Sequence, residues 1–352
     1  MIRGAAASYF SAARRYNAGM RARTFLASAV LAAACSARPT ARPLPQAARD
    51  ALSVLEDHAR DRRPDALLVT QRGDVLVDRR TKAGTSPIHV RSLTKVFTAT
   101  ALGLLAEDGR LKLDEPLTRH LPAWKGGLKD KVTLRHLLAH SSGLEPVPGD
   151  PYVPKNPDVL GTVTAFEMAV PPGTSAVYDN AGYILAGAAA AAAAGRPLDE
   201  YLAEALMKPL GVPEGSWHWW KDDAGTRFGH AGLVLTPDAL LAFGRLWLDG
   251  GWRGTQRILP EGFVAEATRS QNTADPTFGL GWLLLSRHVR GQAPWDGFWM
   301  NGHDGQVLYI HPPSGVVCVQ LVERSLPAAD QRRYVGAVLD ACRSLARSLT
   351  PL

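Results

Sequence analysis

An α+β fold with a helical subdomain is what the order of elements along this 352-residue chain predicts. Three observations carry that expectation. A strand hairpin lies near the start, a long and mainly helical stretch follows, and strands with an amphipathic helix close the chain. Hydrophobic residues make up 46% and charged residues 21% of the sequence, the balance of a globular chain and not of a disordered one. The length gives room for one large domain or two small ones with a sizeable core.

Taken in order, residues 51–60 read as a short helix. Residues 66–70 and 74–78 alternate around Gln71-Arg-Gly73, a hairpin signal. A strong helix starts near Ser92 and runs to about Asp108, with Gly109 placed to cap its end. From Thr133 to about Pro213 the pattern is mainly helical, broken by the proline-rich stretch 145–158 and by Pro171-Pro-Gly173. The tract 186–194 is low in complexity, but alanine is the best helix former, so it reads as a closely packed internal helix. Thr236-Pro-Asp starts another helix, with proline at its first position, that runs to about Asp249. Residues 278–286, 305–311 and 316–323 read as strands, and residues 329–349 as the closing amphipathic helix. No internal repeat is present.

The first 50 residues have a different character. Arg21 and Arg23 precede ten apolar or small residues, 25–34, and then Cys35, the design of a secretory signal. The run is too short for a permanent membrane span. We therefore expect residues 1–34 to be an export signal, residues 35–50 an Ala/Pro/Arg tether and residues 51–349 the working domain. Export places the chain in the periplasm or cell envelope, or outside the cell as a secreted protein. Cys35 after three alanines resembles a bacterial lipoprotein cleavage site, which makes it a lipidation candidate and a lipid anchor a route to the membrane. Ordinary cleavage near Ala34 or Ala37 is the alternative. Of the remaining cysteines, Cys318 and Cys342 either pair in an oxidising compartment or stay as two buried thiols.

The formal net charge of +7 belongs largely to that leader. Eight arginines and no Asp, Glu or Lys occur through Arg49, which leaves 32 basic against 33 acidic residues beyond it. A near-neutral body excludes a nucleic-acid-binding footprint.

Three short motifs could carry chemistry. In Ser92-Leu-Thr-Lys95 one helical turn separates serine and lysine, so both side chains project from one face. A serine hydroxyl needs a base to become a nucleophile, and a desolvated lysine can be that base. Taken alone, the same motif is also a serine N-cap with an ordinary lysine. Tyr178-Asp-Asn180 follows the Pro171-Pro-Gly173 turn; a phenol can relay a proton and an amide can hold a carbonyl or steady a lysine. Gly302-His-Asp-Gly305-Gln306 opens a late strand, where a glycine admits substrate and a backbone N–H can stabilise an oxyanion. His230-Ala-Gly232 has the same His-x-Gly pattern, but it leads into a helix, so His303 is favoured as the substrate-facing histidine.

The order of these motifs, with residues 104–116, 132–144 and 171–183 around them, resembles the serine β-lactamase and penicillin-binding-protein superfamily. The similarity covers roughly residues 51–345 and is greatest to the class C, D-Ala-D-Ala carboxypeptidase and esterase branch. It implies an antiparallel sheet of five or more strands, flanked by helices, with an inserted helical domain and the site at the seam. It further implies Ser92 as acylated nucleophile, and Lys95 and Tyr178 as proton carriers. Asn180, His303, Gly305 and Gln306 would bind substrate, with the N–H groups of Ser92 and Gln306 forming the oxyanion hole. Where β-lactamases carry a lysine this chain has His303, and Asp304 replaces a small hydroxyl residue. The resemblance then implies weaker recognition of a substrate carboxylate, repelled by Asp304, and favours an esterase or amidase over a β-lactamase. A penicillin- or peptidoglycan-binding envelope protein with little turnover is the alternative.

Trp217, Trp219, Trp220, Trp295 and Trp299 could wall an apolar acyl pocket or simply pack the core. No histidine spacing suits a metal and no glycine-rich phosphate loop follows a strand, so no cofactor is expected. The expected partner is a small ester, amide, lactam or peptide substrate.

Overall fold

The computed structural model describes residues 43–145, 156–285 and 297–350. The export signal, Cys35, most of the tether and Trp295 lie outside the described residues. Leu44 onward forms one compact unit. Its strands are β1 (Ala66–Gln71), β2 (Asp74–Arg80), β3 (Ile88–His89), β4 (Trp217–Trp219), β5 (Leu233–Leu235), β6 (Trp252–Arg253) and β7 (Gln256–Arg257). The series ends with β8 (Leu283–Leu284), β9 (Phe298–Gly302), β10 (Gln306–His311) and β11 (Val316–Leu321). The five longest helices among the described residues are α1 (Gln46–Arg62), α2 (Thr94–Glu107), α3 (Asn180–Ala194), α4 (Pro237–Leu248) and α5 (Ala328–Leu349).

Six strands form one antiparallel sheet in the order β2-β1-β11-β10-β9-β8, and β3, β5 and β4 form a smaller one. The period of two sorts the large sheet's side chains onto two cores. Leu67, Val69, Val307, Tyr309, Val316 and Cys318 face α1 and α5. Their alternate neighbours Leu68, Leu308, Ile310, Val317 and Val319 join α2, α3 and α4 in the larger core. Both faces are therefore covered, which is why β1, β10 and β11 are apolar almost throughout instead of alternating with polar residues.

Local chemistry accounts for most element ends. The hairpin turns through Arg72 (φ 48°) and Gly73 (φ 96°), the double left-handed turn that matches strand twist. The alanine tract is the interior helix expected of it: Ala186, Ala189 and Ala190 are fully buried in α3. Two expectations need correction. The working domain begins before residue 51, because α1 starts at Gln46 behind Pro45 and buries Ala48 in the sheet core. The final sheet also contains a strand absent from the sequence reading, β9, whose five residues alternate buried and half-buried. Of the strand expected over residues 278–286, the described residues 278–285 contribute only the two-residue β8 and a bridge between Phe278 and Leu283. Cys318 and Cys342 are free and fully buried between β11 and α5, and burial pushes the Cys342 thiol up.

Candidate active site

The turn that carries Ser92 is built by its neighbours. A 3₁₀ turn, Arg91–Leu93, feeds directly into α2. The Thr94 hydroxyl donates to the Arg91 carbonyl (2.6 Å) and accepts from the Leu233 N–H (3.0 Å), so the turn is pinned to β5. The segment before β5 then runs along α2, where the Gly229 carbonyl accepts from the Thr98 hydroxyl (2.7 Å).

Lys95 is fully buried at the centre of this arrangement. Its Nζ donates to Asn180 Oδ1 (2.8 Å) and to the His230 carbonyl (3.0 Å), and it lies 3.2 Å from Ser92 Oγ. The Tyr178 ring stands over the same nitrogen, 4.7 Å from it, and Tyr183 lies at 5.5 Å. Four predicted residues, Ser92, Lys95, Tyr178 and Asn180, thus converge from two segments 85 positions apart. His230, weighed as a competitor to His303, enters through its backbone instead.

Asn180 is placed by the N-terminus of α3. Asp179 caps that helix, accepting from the Gly182 N–H (2.8 Å) and from the Ser142 hydroxyl (2.6 Å). Burial holds the Asp179 carboxyl above the usual carboxylate range, with Ser142 opposing. His140, a residue the sequence reading passed over, supports Tyr178 from behind. Its ring stacks on Tyr178 with centroids 4.7 Å apart, and its Nδ1 accepts from the Asp179 N–H (2.9 Å). Burial, helped by the charge of Lys95, holds His140 well below the ordinary histidine value, so it is a neutral support. The signal for it was the Leu137-Leu-Ala-His140 register alone, which any buried histidine would share.

These groups open on a cleft of about 910 Å³. Phe278, Leu283, Trp299, Val335 and Leu339 supply its apolar lining, the last two from the closing helix α5. Among the tryptophans, Trp219 belongs to the core, donating to the Phe228 carbonyl (3.0 Å). Trp217 and Trp220 pack at its edge, and the Trp220 ring lies tilted against His89 with centroids 4.1 Å apart. Trp299 is the one of these that faces the cleft.

The third motif divides. Gly302 and His303 line the cleft, and His303 Nε2 accepts from the Gln331 amide of α5 (3.0 Å). Gly305 and Gln306 are not among the lining residues. Gly305 lies against Leu326 and Tyr334, and the Gln306 side chain is spent on the Val322 backbone, donating at 2.7 Å and accepting at 2.9 Å. The motif's turn aims its first half at the cleft and its second half at the core. Asp304, expected to repel a substrate carboxylate, is 1% exposed and ion-paired with Arg91 at 2.9 Å. Its charge is compensated inside the wall. Among the described residues no three His, Cys, Asp or Glu side chains gather as metal ligands.

The histidines buried in the domain give it a pH signature. Burial pushes His89 down to about 4 and lowers His58 and His136, as it does His140. Each is neutral in the folded chain where an unfolded histidine binds a proton, so its stabilisation is complete above 6.5 and lost as pH falls toward the folded value. Between 6.5 and about 4, His89 alone withdraws about 3 kcal/mol. The raised Asp179 carboxyl acts in the opposite sense. The expected net result is a Tm about 5 °C lower at pH 5 than at pH 7. Calorimetry showing a Tm that holds or rises on acidification would contradict it.

A family model described as Beta-lactamase matches residues 47–342. A candidate D-alanyl-D-alanine carboxypeptidase of Escherichia coli (strain K12) is 26% identical over 340 residues, covering 74% of this chain and 75% of that protein. Among solved structures, a β-lactamase-like protein of Bacteroides dorei DSM 17855 superposes with a TM-score of 0.70 at 20% identity, covering 84% of this chain and 98% of the other. A penicillin-binding-protein homologue of Caulobacter crescentus gives 0.64 at 18% identity, covering 85% and 99%.

Proposed function

The chain belongs to the beta-lactamase family, and from that premise we propose that it is a serine hydrolase forming an acyl-enzyme through Ser92. The observation that carries this reading is the buried Lys95 amine set between Ser92 Oγ, Asn180 Oδ1 and the His230 carbonyl. The two carbonyl oxygens can only accept. A neutral amine satisfies both with its two N–H groups and turns its lone pair to the Ser92 hydroxyl. An ammonium donates to all three. The same cage therefore accommodates Lys95 before and after it takes a proton, which is what a general base requires.

In the proposed reaction Ser92 Oγ attacks the substrate carbonyl as its proton passes to Lys95. The tetrahedral oxyanion is held by the Ser92 N–H and by the N–H of His303. We assign this role to His303 and not to Gln306 because His303, directly after β9, lines the cleft and Gln306 does not. The oxyanion then collapses, the carbonyl–leaving-group bond breaks, and Lys95, with Tyr178 as relay, returns the proton to the departing alcohol or amine. Water attacks the acyl-enzyme by the same proton route and releases the acid. Neutral His140 holds the Tyr178 ring without competing for the proton. The apolar cleft wall and the absence of a lysine in the third motif favour an ester or amide over a β-lactam.

A fluorophosphonate probe and a panel of p-nitrophenyl esters, linear amide oligomers, D-Ala-D-Ala peptides and nitrocefin test the reading. Expected is covalent labelling of the native protein, none in Ser92→Ala, and turnover fastest on an ester or amide. Labelling that persists in Ser92→Ala removes Ser92 as nucleophile, and turnover confined to nitrocefin overturns the substrate preference.

A further inference from the structure

We propose that the ion pair between Arg91 and Asp304 is a positioning device that sets the nucleophile turn against the end of β9. The inference rests on the reading of Ser92 as the nucleophile. Arg91 immediately precedes Ser92, and Asp304 immediately follows His303. Both residues are in the left-handed region, with φ of 53° and 66°. Neither is a glycine, so each is held in that uncommon conformation by its turn and the contacts around it.

Each end of the pair is anchored. Asp304 uses one carboxylate oxygen on Arg91 Nη2 (2.9 Å) and the other on the Leu326 N–H (2.9 Å). The turn behind it is held by Gln320, whose amide donates to the Gly305 carbonyl (2.8 Å), and Gln320 Oε1 is bonded in turn to His58 Nε2 (2.6 Å). The pair therefore joins the Ser92 turn to a rigid, buried polar frame. Between the two lies Gly302, where an added Cβ would fall 2.4 Å from the Val90 carbonyl oxygen and 2.9 Å from Arg91 Cβ. The two segments are in contact with no side chain between them. Their relative placement fixes the separation of the Ser92 and His303 N–H groups. An error of an ångström in such a placement can cost about 100-fold in rate. Asp304, which departs from the small hydroxyl residue expected at its position, thus acts through the backbone and not on substrate.

The test compares Asp304→Asn and Arg91→Lys with the wild type on p-nitrophenyl butyrate, with phenylboronic acid as an inhibitor whose adduct places an oxygen between the two N–H groups. An amide at 304 can accept on one side only, so either Arg91 or the Leu326 N–H faces a donor. Expected is a kcat at least ~10-fold lower in Asp304→Asn, KM within ~3-fold, and boronate affinity weakened in step with kcat. Arg91→Lys, which keeps the charge, should lose less. Unchanged kcat in folded variants overturns the proposal. So does a loss of kcat with boronate affinity intact, which shows that the pair does not set the two N–H groups. If Asp304→Asn does not fold, Arg91→Lys and Arg91→Gln decide by the same readouts, because Arg91 is partly exposed. Wild-type protein that the fluorophosphonate does not label at Ser92 overturns the catalytic reading itself, and the clamp with it. A labelled wild type with variants labelled equally fast overturns only the clamp.

Discussion

Lys95→Met is expected to lower kcat/KM on a p-nitrophenyl ester by about 10³-fold, with most of the loss in kcat. Methionine fills much of the volume of a fully buried lysine, so the apolar packing around α2 survives. The proposed proton route does not. Ser92 loses the side-chain amine 3.2 Å from its hydroxyl, and Asn180 Oδ1 and the His230 carbonyl lose their shared donor. Lys95→Arg separates charge from chemistry. A guanidinium could still donate to those carbonyls but cannot give up its proton, so Lys95→Arg should be as inactive as Lys95→Met. Steady-state rates with an active-site titration by fluorophosphonate measure both. Activity within tenfold of wild type in either variant would remove Lys95 as the base.

Gly302→Ala should be nearly as damaging by a different route. The new methyl group would sit 2.4 Å from the Val90 carbonyl oxygen and 3.0 Å from Gln306 Cβ. The first of these is backbone and cannot swing away. β9 must move off the Ser92 turn or the turn must deform, and either one displaces the N–H groups proposed to hold the oxyanion. A kcat about 100-fold lower is expected, with about 1–3 kcal/mol of stability lost to overpacking. Kinetics and thermal melting on the same preparation check it. A Gly302→Ala protein with wild-type kcat would mean that the contact between β9 and the nucleophile turn is irrelevant to rate.

Most of the architecture was legible as pattern. The hairpin around Arg72-Gly73, the helix after Ser92, the alanine-rich helix, the last two strands and the closing helix lie where periodicity and turn residues put them, whereas the strand expected over residues 278–286 shrinks to β8. β9 was not legible: five residues opening on Phe298-Trp-Met are as compatible with a loop or a helix end as with a strand. The early start of α1 was hidden by the Ala/Pro/Arg composition around it, which reads as a linker until Ala48 is seen buried against the sheet.

At the site, the sequence determined which groups are present and which pairs are neighbours by helical spacing, Ser92 with Lys95 above all. It also exposed the motif order that marks the family. Tertiary structure decided everything that depends on through-space contact. It brought the His230 backbone to Lys95 and slid neutral His140 behind Tyr178. It turned Gly305 and Gln306 into the core, and buried Asp304 against Arg91 instead of leaving it to face substrate. The physical reason is range. Hydrophobic period, capping and turn chemistry act over a few residues and are written locally, whereas a buried polar group takes whichever partner the packing of distant segments delivers.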